Sequence, residues 1–391
     1  PPVPPQPTVR ELAAFYVPCL CLWISGPLLS LVDTASVGLS AAPGTGAFQL
    51  GALGPATTFV DGSSYLFTFL NVATTNLYAS AVADDGGRDG GRLAGDGVVR
   101  TAVGIALLSG AGLLALLVKY GRVLLGMYVG EGSAVLAPAH AYVKIRSFSM
   151  PTALLYNVLQ AALLGAKDST TPLIAIAVST LANCAGDFYL VVHRGLGIAG
   201  AAAATLAAQV LGTAALLGPA RRKLFATRPE RAALEQAGRS SSISAASFLS
   251  FAAPVLTLVM GKIAAFGVMT HVAAALPKET ALAAHQIVLT LFFFISPFLE
   301  VLSQTAQAFL PQFYAGRRAE DGDPSEKMSA DRVAALEAGA SLLALRLLGL
   351  GAAVSLLVAA AAASVPAAFP GLLTNDAAVG AALRPLARPL A

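Results

Sequence analysis

Eight stretches of this chain contain no Asp, Glu, Lys or Arg. They lie between Glu11 and Asp33, Asp61 and Asp84, Arg100 and Lys119, Arg146 and Lys167, Arg194 and Arg221, Arg239 and Lys262, Glu279 and Glu300, and Arg346 and Asp376. A helix needs about 20 mostly apolar residues to cross the hydrocarbon core of a bilayer. Adding residues 171–192, interrupted only by Asp187, predicts nine helices over 12–38, 47–81, 98–119, 138–164, 171–192, 197–219, 243–270, 280–313 and 334–364. Several are longer than the core is thick, so tilt or protruding ends are expected. Charged residues make up only 12% of the chain, against ~25% in soluble domains, and the mean hydropathy is +0.71. A soluble fold needs more polar surface, and a disordered chain carries far fewer large apolar residues. The fold class is therefore an all-α polytopic membrane protein.

The connections carry the topology. Residues 83–96 are rich in glycine, residues 220–239 hold Arg221, Arg222, Lys223, Arg228, Arg231 and Arg239, and residues 316–332 mix both signs. With nine alternating helices these three fall on one side, which with Arg10, Arg100 and Lys167 holds 15 Lys and Arg, against 6 opposite (Lys119, Arg122, Lys144, Arg146, Arg194 and Lys278). The positive-inside rule then puts the N terminus on the cytoplasmic side or its organellar equivalent. The basic segment reads as solvated topogenic charge, and no nucleic-acid partner is expected. Cys19, Cys21 and Cys184 sit in apolar stretches without metal or redox spacing and read as packing residues.

An internal repeat is visible. Phe15-x-x-Pro18 opens the first helix and Phe251-x-x-Pro254 the seventh; Thr74 follows Ala52 by 22 residues, as Thr305 follows Ala283. Gly126 to Glu131 has a counterpart in Gly371 to Asp376. Six helices per copy is an even number, so both copies enter from the same side, as in transporters whose halves are related by an axis along the membrane normal. The expected domains are a proline-rich linker (1–11), a complete six-helix N-terminal lobe (12–219), a basic inter-lobe loop (220–242) and an incomplete C-terminal lobe (243–391). A second copy matching the first would need three more helices, so the full two-lobe protein is expected to run to roughly 450–500 residues.

Besides Glu337 in the first turn of the last span, four carboxylates lie inside the expected spans: Asp33, Asp61, Asp187 and Glu300. A charge at the bilayer centre costs about 2.5–3.5 kcal/mol on insertion scales, so each needs a partner, a water-filled cavity or a proton. Asn183 and Asp187 are spaced i, i+4 and share a helix face. With the alternating topology, Asp33, Asn183, Asp187 and Thr205 fall at one depth of the first lobe. Their oxygens suit Na⁺ or a proton shared across a hydrogen-bond network; interhelical hydrogen bonding alone is the plainer reading. Asp61, before Gly62-Ser63-Ser64, either caps a break in helix 2 or faces substrate. Glu300 either faces the cavity between lobes or pairs with Lys262, which could itself meet an anionic substrate; Gln304 joins them as a candidate cavity residue. Gly26 and Pro27 remove a backbone bond from the first helix and are expected to kink it as a gate.

These residues also carry a family resemblance. The run GPLLSLVDTASVG (26–38) resembles the first helix of MATE (multidrug and toxic compound extrusion) transporters, and LGAKDSTTPL (164–173) resembles their junction between helices 4 and 5. GIAGAAAAT (197–205) is similar to the start of helix 6, and AAHQ (283–286) with LSQTAQAF (302–309) to helix 8. LWISGP (22–27), VATTN (72–76) and 302–309 most resemble the plant and algal plastid branch, the enhanced disease susceptibility type. The resemblance implies a two-lobe bundle in which Asp33, Asn183, Asp187 and Thr205 match the N-lobe cation site. It implies a chloroplast envelope location and a secondary antiporter exporting an organic solute, an aromatic carboxylate or a xenobiotic, driven by H⁺ or Na⁺. No cofactor is expected, the partners are the lipid bilayer and a small organic substrate, and a monomer is expected. The alternatives are a lipid-linked precursor flippase, which would want more than Lys262 and Arg346 as intramembrane cations, and a non-transporting membrane scaffold. No P-loop, GxSxG, paired CxxC or HExxH motif occurs, so the chain is not expected to be an enzyme.

Overall fold

The computed structural model describes residues 4–40, 46–84, 91–236, 244–275, 285, 288–289, 291–314, 330–368 and 381. Among them there is no strand. The first lobe comprises α1 (Val9–Ser40), α2 (Gly46–Tyr65), α3 (Thr68–Asp84), α4 (Gly91–Val129), α5 (Leu136–Ser147), α6 (Met150–Gly165), α7 (Thr170–Gly186), a π-helical continuation (Asp187–His193) and α8 (Gly197–Leu224). A short helix, α9 (Arg228–Gln236), precedes the second lobe, of which α10 (Ala245–Ala275), α11 (Pro297–Phe309) and α12 (Ala330–Ala368) are described.

Two of the expected spans are broken helices, for local reasons. In 47–81 the hydroxyls of Ser63 and Ser64 donate back to the carbonyls of Phe59 (2.7 Å) and Asp61 (2.9 Å). Such back-bonding competes with the helix ladder, and the chain turns at Leu66 and Phe67 before α3. In 138–164 the break falls at Phe148 and Ser149, because Pro151 in the first turn of α6 has no N–H for the preceding turn. The span at 98–119 is longer than expected, α4 covering 91–129. The proline-rich linker stops at Thr8, whose hydroxyl accepts from the Glu11 N–H (3.2 Å) while the Glu11 carboxylate accepts from the Thr8 N–H (2.7 Å), a capping box that starts α1. The basic inter-lobe loop expected over 220–242 is in large part helical. α8 runs on to Leu224 with Arg221, Arg222 and Lys223 in its last turn, where cations favour the helix dipole. Thr227 and Glu230 then cap α9.

α7 and α8 approach closely because glycine leaves room at two levels. A Cβ on Gly212 would lie 2.8 Å from the Ser179 Cβ, and one on Gly186 would lie 2.8 Å from the Ala204 Cβ. The core of the first lobe fills behind them with Leu70, Tyr78, Tyr142, Leu159, Leu163 and Leu216. A second cluster ties the lobes together: Leu12, Phe15, Cys19 and Leu22 of α1 pack with Val301 and Phe309 of α11 and Leu343 and Leu347 of α12, Phe15 meeting Phe309 edge-on at 5.5 Å. Outward faces are apolar as well, with Leu108, Leu181, Leu345, Leu348 and Leu356 exposed. Among the described residues six helices are long and apolar enough to cross a membrane. In a bilayer those faces meet lipid, and helical hydrogen bonding keeps most of the backbone polar groups paired away from it.

The repeat has a structural counterpart. Pro18 is the tenth residue of α1 and Pro254 the tenth of α10. α1 packs on α11 as α3 packs on α10, the exchange of partners that a two-fold between the lobes requires. Asn76 and Gln307 are separated by 231 residues, and they meet across the seam, the Asn76 amide donating to the Gln307 Oε1 at 3.2 Å. Gly371 to Asp376, matched above with Gly126 to Glu131, lie outside the described residues.

Candidate cation site and inter-lobe cavity

α1, α7 and α8 bring the four oxygen-bearing residues together. The Asn183 Nδ2 donates to the Asp33 Oδ1 at 2.6 Å and to the Asp187 Oδ2 at 3.1 Å, so one amide bridges two carboxylates. The Thr205 hydroxyl lies 3.4 Å from the Asp33 Oδ2 and donates to its own helix at the Ala201 carbonyl, 2.9 Å away. Asp33, Asn183 and Asp187 are buried and Thr205 is half-buried. The Asn183 Oδ1 and Asp187 Oδ1 are both buried without a hydrogen-bond partner. Buried acceptors without donors are costly, and two carboxylates at this range repel unless a proton or a cation lies between them. The donor set is oxygen only, the chemistry of a hard cation such as Na⁺; a shared proton satisfies it equally. Among the described residues no His, Cys, Asp and Glu cluster has metal-holding geometry.

The site sits where α7 changes its winding. Asp187 is the first residue of the π stretch, and the Arg194 N–H reaches the Tyr189 carbonyl at 3.0 Å. π segments inside α-helices recur at functional sites. On the far side the glycine at 186 fixes how near Ala204, and with it Thr205, can come.

Asp61 has a different partner from any expected. Arg146, counted above among the loop charges, is buried inside the first lobe at the break between α5 and α6. Its Nη2 lies 3.2 Å from the Asp61 Oδ1, and its Nη1 donates to the Gln209 Oε1 at 2.7 Å and to the Ser149 Oγ at 3.3 Å. The pair is lopsided: the Arg146 side chain is 5% exposed and that of Asp61 67%. A sequence signal existed, since Gln209 stands i+4 from Thr205 and shares its face. Counting Arg146 with the charges outside the bilayer, although the expected span 138–164 contains it, hid it.

Between the lobes lies a cavity of about 470 Å³ walled by Trp23 and Pro27 of α1, Tyr65 of α2, Lys262 and Phe266 of α10, Phe292 and Phe293, and Glu300 of α11. Lys262 and Glu300 thus line the same space, and no ion pair joins them among the described residues. Gln304 is placed elsewhere. Its amide donates to the Thr75 hydroxyl at 3.3 Å, at the seam between α3 and α11. Pro27 reaches the cavity wall, Gly26 has open space around it, and α1 continues through both.

At the opposite end of the first lobe, the junction of α6 and α7 is held by Asp168. Its carboxylate accepts from the Thr171 N–H (3.0 Å) and hydroxyl (2.6 Å) and from the Lys223 Nζ (2.5 Å). Burial alone would raise its pKa, but the hydrogen bonds from Lys223 and Thr171 outweigh it and hold the carboxyl below its ordinary value. Neighbouring Lys167 reaches across to the Gln312 Oε1 at 2.6 Å and over the Phe309 ring.

Among the described residues the chain is thus a helical bundle without strands, with an oxygen-only site in its first lobe and a cavity between lobes. Residues 18–189 match the MatE family model. The chain is 31% identical over 369 residues to Protein DETOXIFICATION 47, chloroplastic, of Arabidopsis thaliana, covering 94% of this chain and 62% of that protein. It is 28% identical over 312 residues to Protein DETOXIFICATION 44, chloroplastic, of the same plant, covering 78% and 57%. The chain therefore spans about three fifths of the length of these relatives. A crystal structure of MATE in the straight conformation superposes with a TM-score of 0.72 at 18% identity, over 97% of this chain and 79% of that one. Over residues 18–189 the chain is similar to the MATE family, and it is a multi-pass membrane protein.

Proposed function

We propose that this chain is part of a secondary antiporter that exports an organic anion with an aromatic ring, coupled to H⁺ or Na⁺ held by Asp33, Asn183, Asp187 and Thr205. The observation that carries the coupling is the pair of buried, unpartnered oxygens on Asn183 and Asp187 beside a bridged pair of carboxylates. A cation or proton supplies what those atoms lack, and its loss lets the two carboxylates repel.

The substrate class rests on the cavity. Trp23, Tyr65, Phe266, Phe292 and Phe293 offer ring faces, and Lys262 offers the one basic group among its described lining residues. Rings stack on rings and a carboxylate pairs with the ammonium. A flippase for polyanionic lipid precursors would want several cations there, so the cavity favours a smaller anion. Alternating access follows if Pro27, on the cavity wall and six residues from Asp33, lets α1 bend when the site empties. The relatives with chloroplastic names support a plastid envelope as the membrane.

The test is uptake of radiolabelled benzoate and salicylate into liposomes holding the full-length protein, under imposed pH and Na⁺ gradients. Gradient-driven flux that vanishes in Asp33→Asn and Asp187→Asn is expected. Unchanged flux in both variants would refute the coupling.

A further inference from the structure

A separate cavity of about 250 Å³ opens beside Asp33, lined by Ser30, Asp33 and Thr34 of α1 and Leu53, Gly54 and Thr57 of α2. We propose that it is the vestibule through which the coupling cation reaches and leaves the four-oxygen site. The inference rests on the coupling role proposed above.

Its volume holds about eight waters at ~30 Å³ each, room for a cation that keeps part of its hydration shell. Its walls present acceptors. A hydroxyl has a single proton to donate, and here it is already committed: the Thr34 Oγ1 donates to the Ser30 carbonyl at 2.7 Å, and the Thr57 Oγ1 to the Leu53 carbonyl at 3.0 Å. The lone pairs that remain favour a cation or the oxygens of a proton-bearing water chain, and the Ser30 hydroxyl is the one side-chain donor left on the wall. Asp33 is the one member of the site on the cavity wall. Asn183 and Asp187 lie behind it, essentially without exposure, at 1% and 0%. A cation arriving here meets the Asp33 carboxylate first and passes to Asn183 and Asp187, so Asp33 is both wall and ligand.

Gly54 gives the geometry a clean handle. A Cβ built there meets nothing within 4 Å, so a larger side chain at this position enters the cavity without moving backbone.

The experiment uses the full-length protein with its cysteines replaced. Thr57→Cys is treated with a cationic and an anionic methanethiosulfonate, and the ratio of the two rates is divided by the same ratio at Gly132→Cys, in the exposed loop before α5. The expected cation preference is roughly tenfold, the enrichment a charged cleft produces, and it falls towards unity when Asp33→Asn is added. Na⁺ at fixed pH, or acid at fixed Na⁺, slows the cationic reagent, and which of the two does so identifies the ion. Gly54→Leu lowers the gradient-driven flux by at least about tenfold while the concentration of benzoate giving half-maximal flux stays as in wild type. A thiol that fails to react in Thr57→Cys, or a normalised ratio near unity, overturns the vestibule, as does Gly54→Leu turning over at the wild-type rate while Asp33→Asn is inactive. If Asp33→Asn keeps full flux but abolishes the cation preference of the Thr57→Cys thiol, the vestibule stands and the coupling role fails.

Discussion

Replacing Gly186 with alanine tests whether the spacing of α7 and α8 sets cation affinity. The added Cβ would fall 2.8 Å from the Ala204 Cβ and 3.1 Å from its Cα, whereas carbon atoms settle at about 3.5–4.0 Å. The helices must part by about 1 Å at this level. Overpacking of this kind costs about 1–3 kcal/mol, offset by up to ~1 kcal/mol of helix propensity gained on losing a glycine. Global stability should therefore fall by only about 0–2 kcal/mol. The site suffers more. Thr205 follows Ala204 directly, and its hydroxyl is already 3.4 Å from the Asp33 carboxylate, near the limit at which such a contact counts. Losing one ligand oxygen worth about 1.4 kcal/mol weakens cation binding about tenfold. The assay is the thermal midpoint of the full-length protein in detergent, titrated with Na⁺ at fixed pH and with acid at fixed Na⁺. Gly104→Ala, whose new Cβ meets nothing within 4 Å, serves as the neutral control. Ala204→Gly added to Gly186→Ala removes the closer of the two contacts, leaving the one to the Cα at 3.1 Å, and should restore most of the midpoint shift. Wild-type cation response in the folded Gly186→Ala protein would refute the reasoning.

Three further outcomes are expected. Asp61→Leu should destabilise the first lobe more than Arg146→Met, by about 1–3 kcal/mol, because it strands a buried guanidinium while the reverse change leaves an exposed carboxylate; breaking fully buried pairs costs about 3–5 kcal/mol, reduced here by the exposure of Asp61. Thermal midpoints in the opposite order would contradict the lopsided burial. Asp168, held below its ordinary pKa, contributes stability that is fully present above the unfolded carboxylate value near ~3.9 and is lost as pH falls through the lower folded value; Asp168→Asn should remove that acid-limb slope from a plot of midpoint against pH. In flux assays Lys262→Gln should raise the half-saturating benzoate concentration about tenfold, the loss of one charge-assisted hydrogen bond, while Glu300→Gln leaves it unchanged or lowers it. A rise in both would argue that the two residues act only as a structural pair.

Much of the fold was legible because a bilayer leaves few options. Uncharged runs of the right length become helices, and eight of the nine expected spans lie largely within described helices. The candidate cation site was legible for a related reason. Carboxylates are expensive in such runs, so Asp33 and Asp187 announced themselves, and the spacing of Asn183 and Asp187 put both on one face. The breaks in two spans depended on local chemistry that the apolar pattern hides: Ser63 and Ser64 turning on their own helix, and Pro151 starting a new one. Arg146 was lost because charge counting uses order along the chain, and a cation just before an apolar run looks the same whether it meets water or Asp61. Gln304 was placed in the cavity on its neighbourhood in sequence, but the rotation of α11 turns its amide to Thr75.

Trp23 is the chain's sole tryptophan. It stands on the wall of the inter-lobe cavity and on the same helix as Pro27 and Asp33. One indole therefore occupies the place where a ring-bearing solute would stack and rides the segment that an ion at Asp33 would move. Within this chain the molecule carries its own optical probe: quenching by a stacked solute and a spectral shift on rehydration of the indole are separable signals, readable without a label.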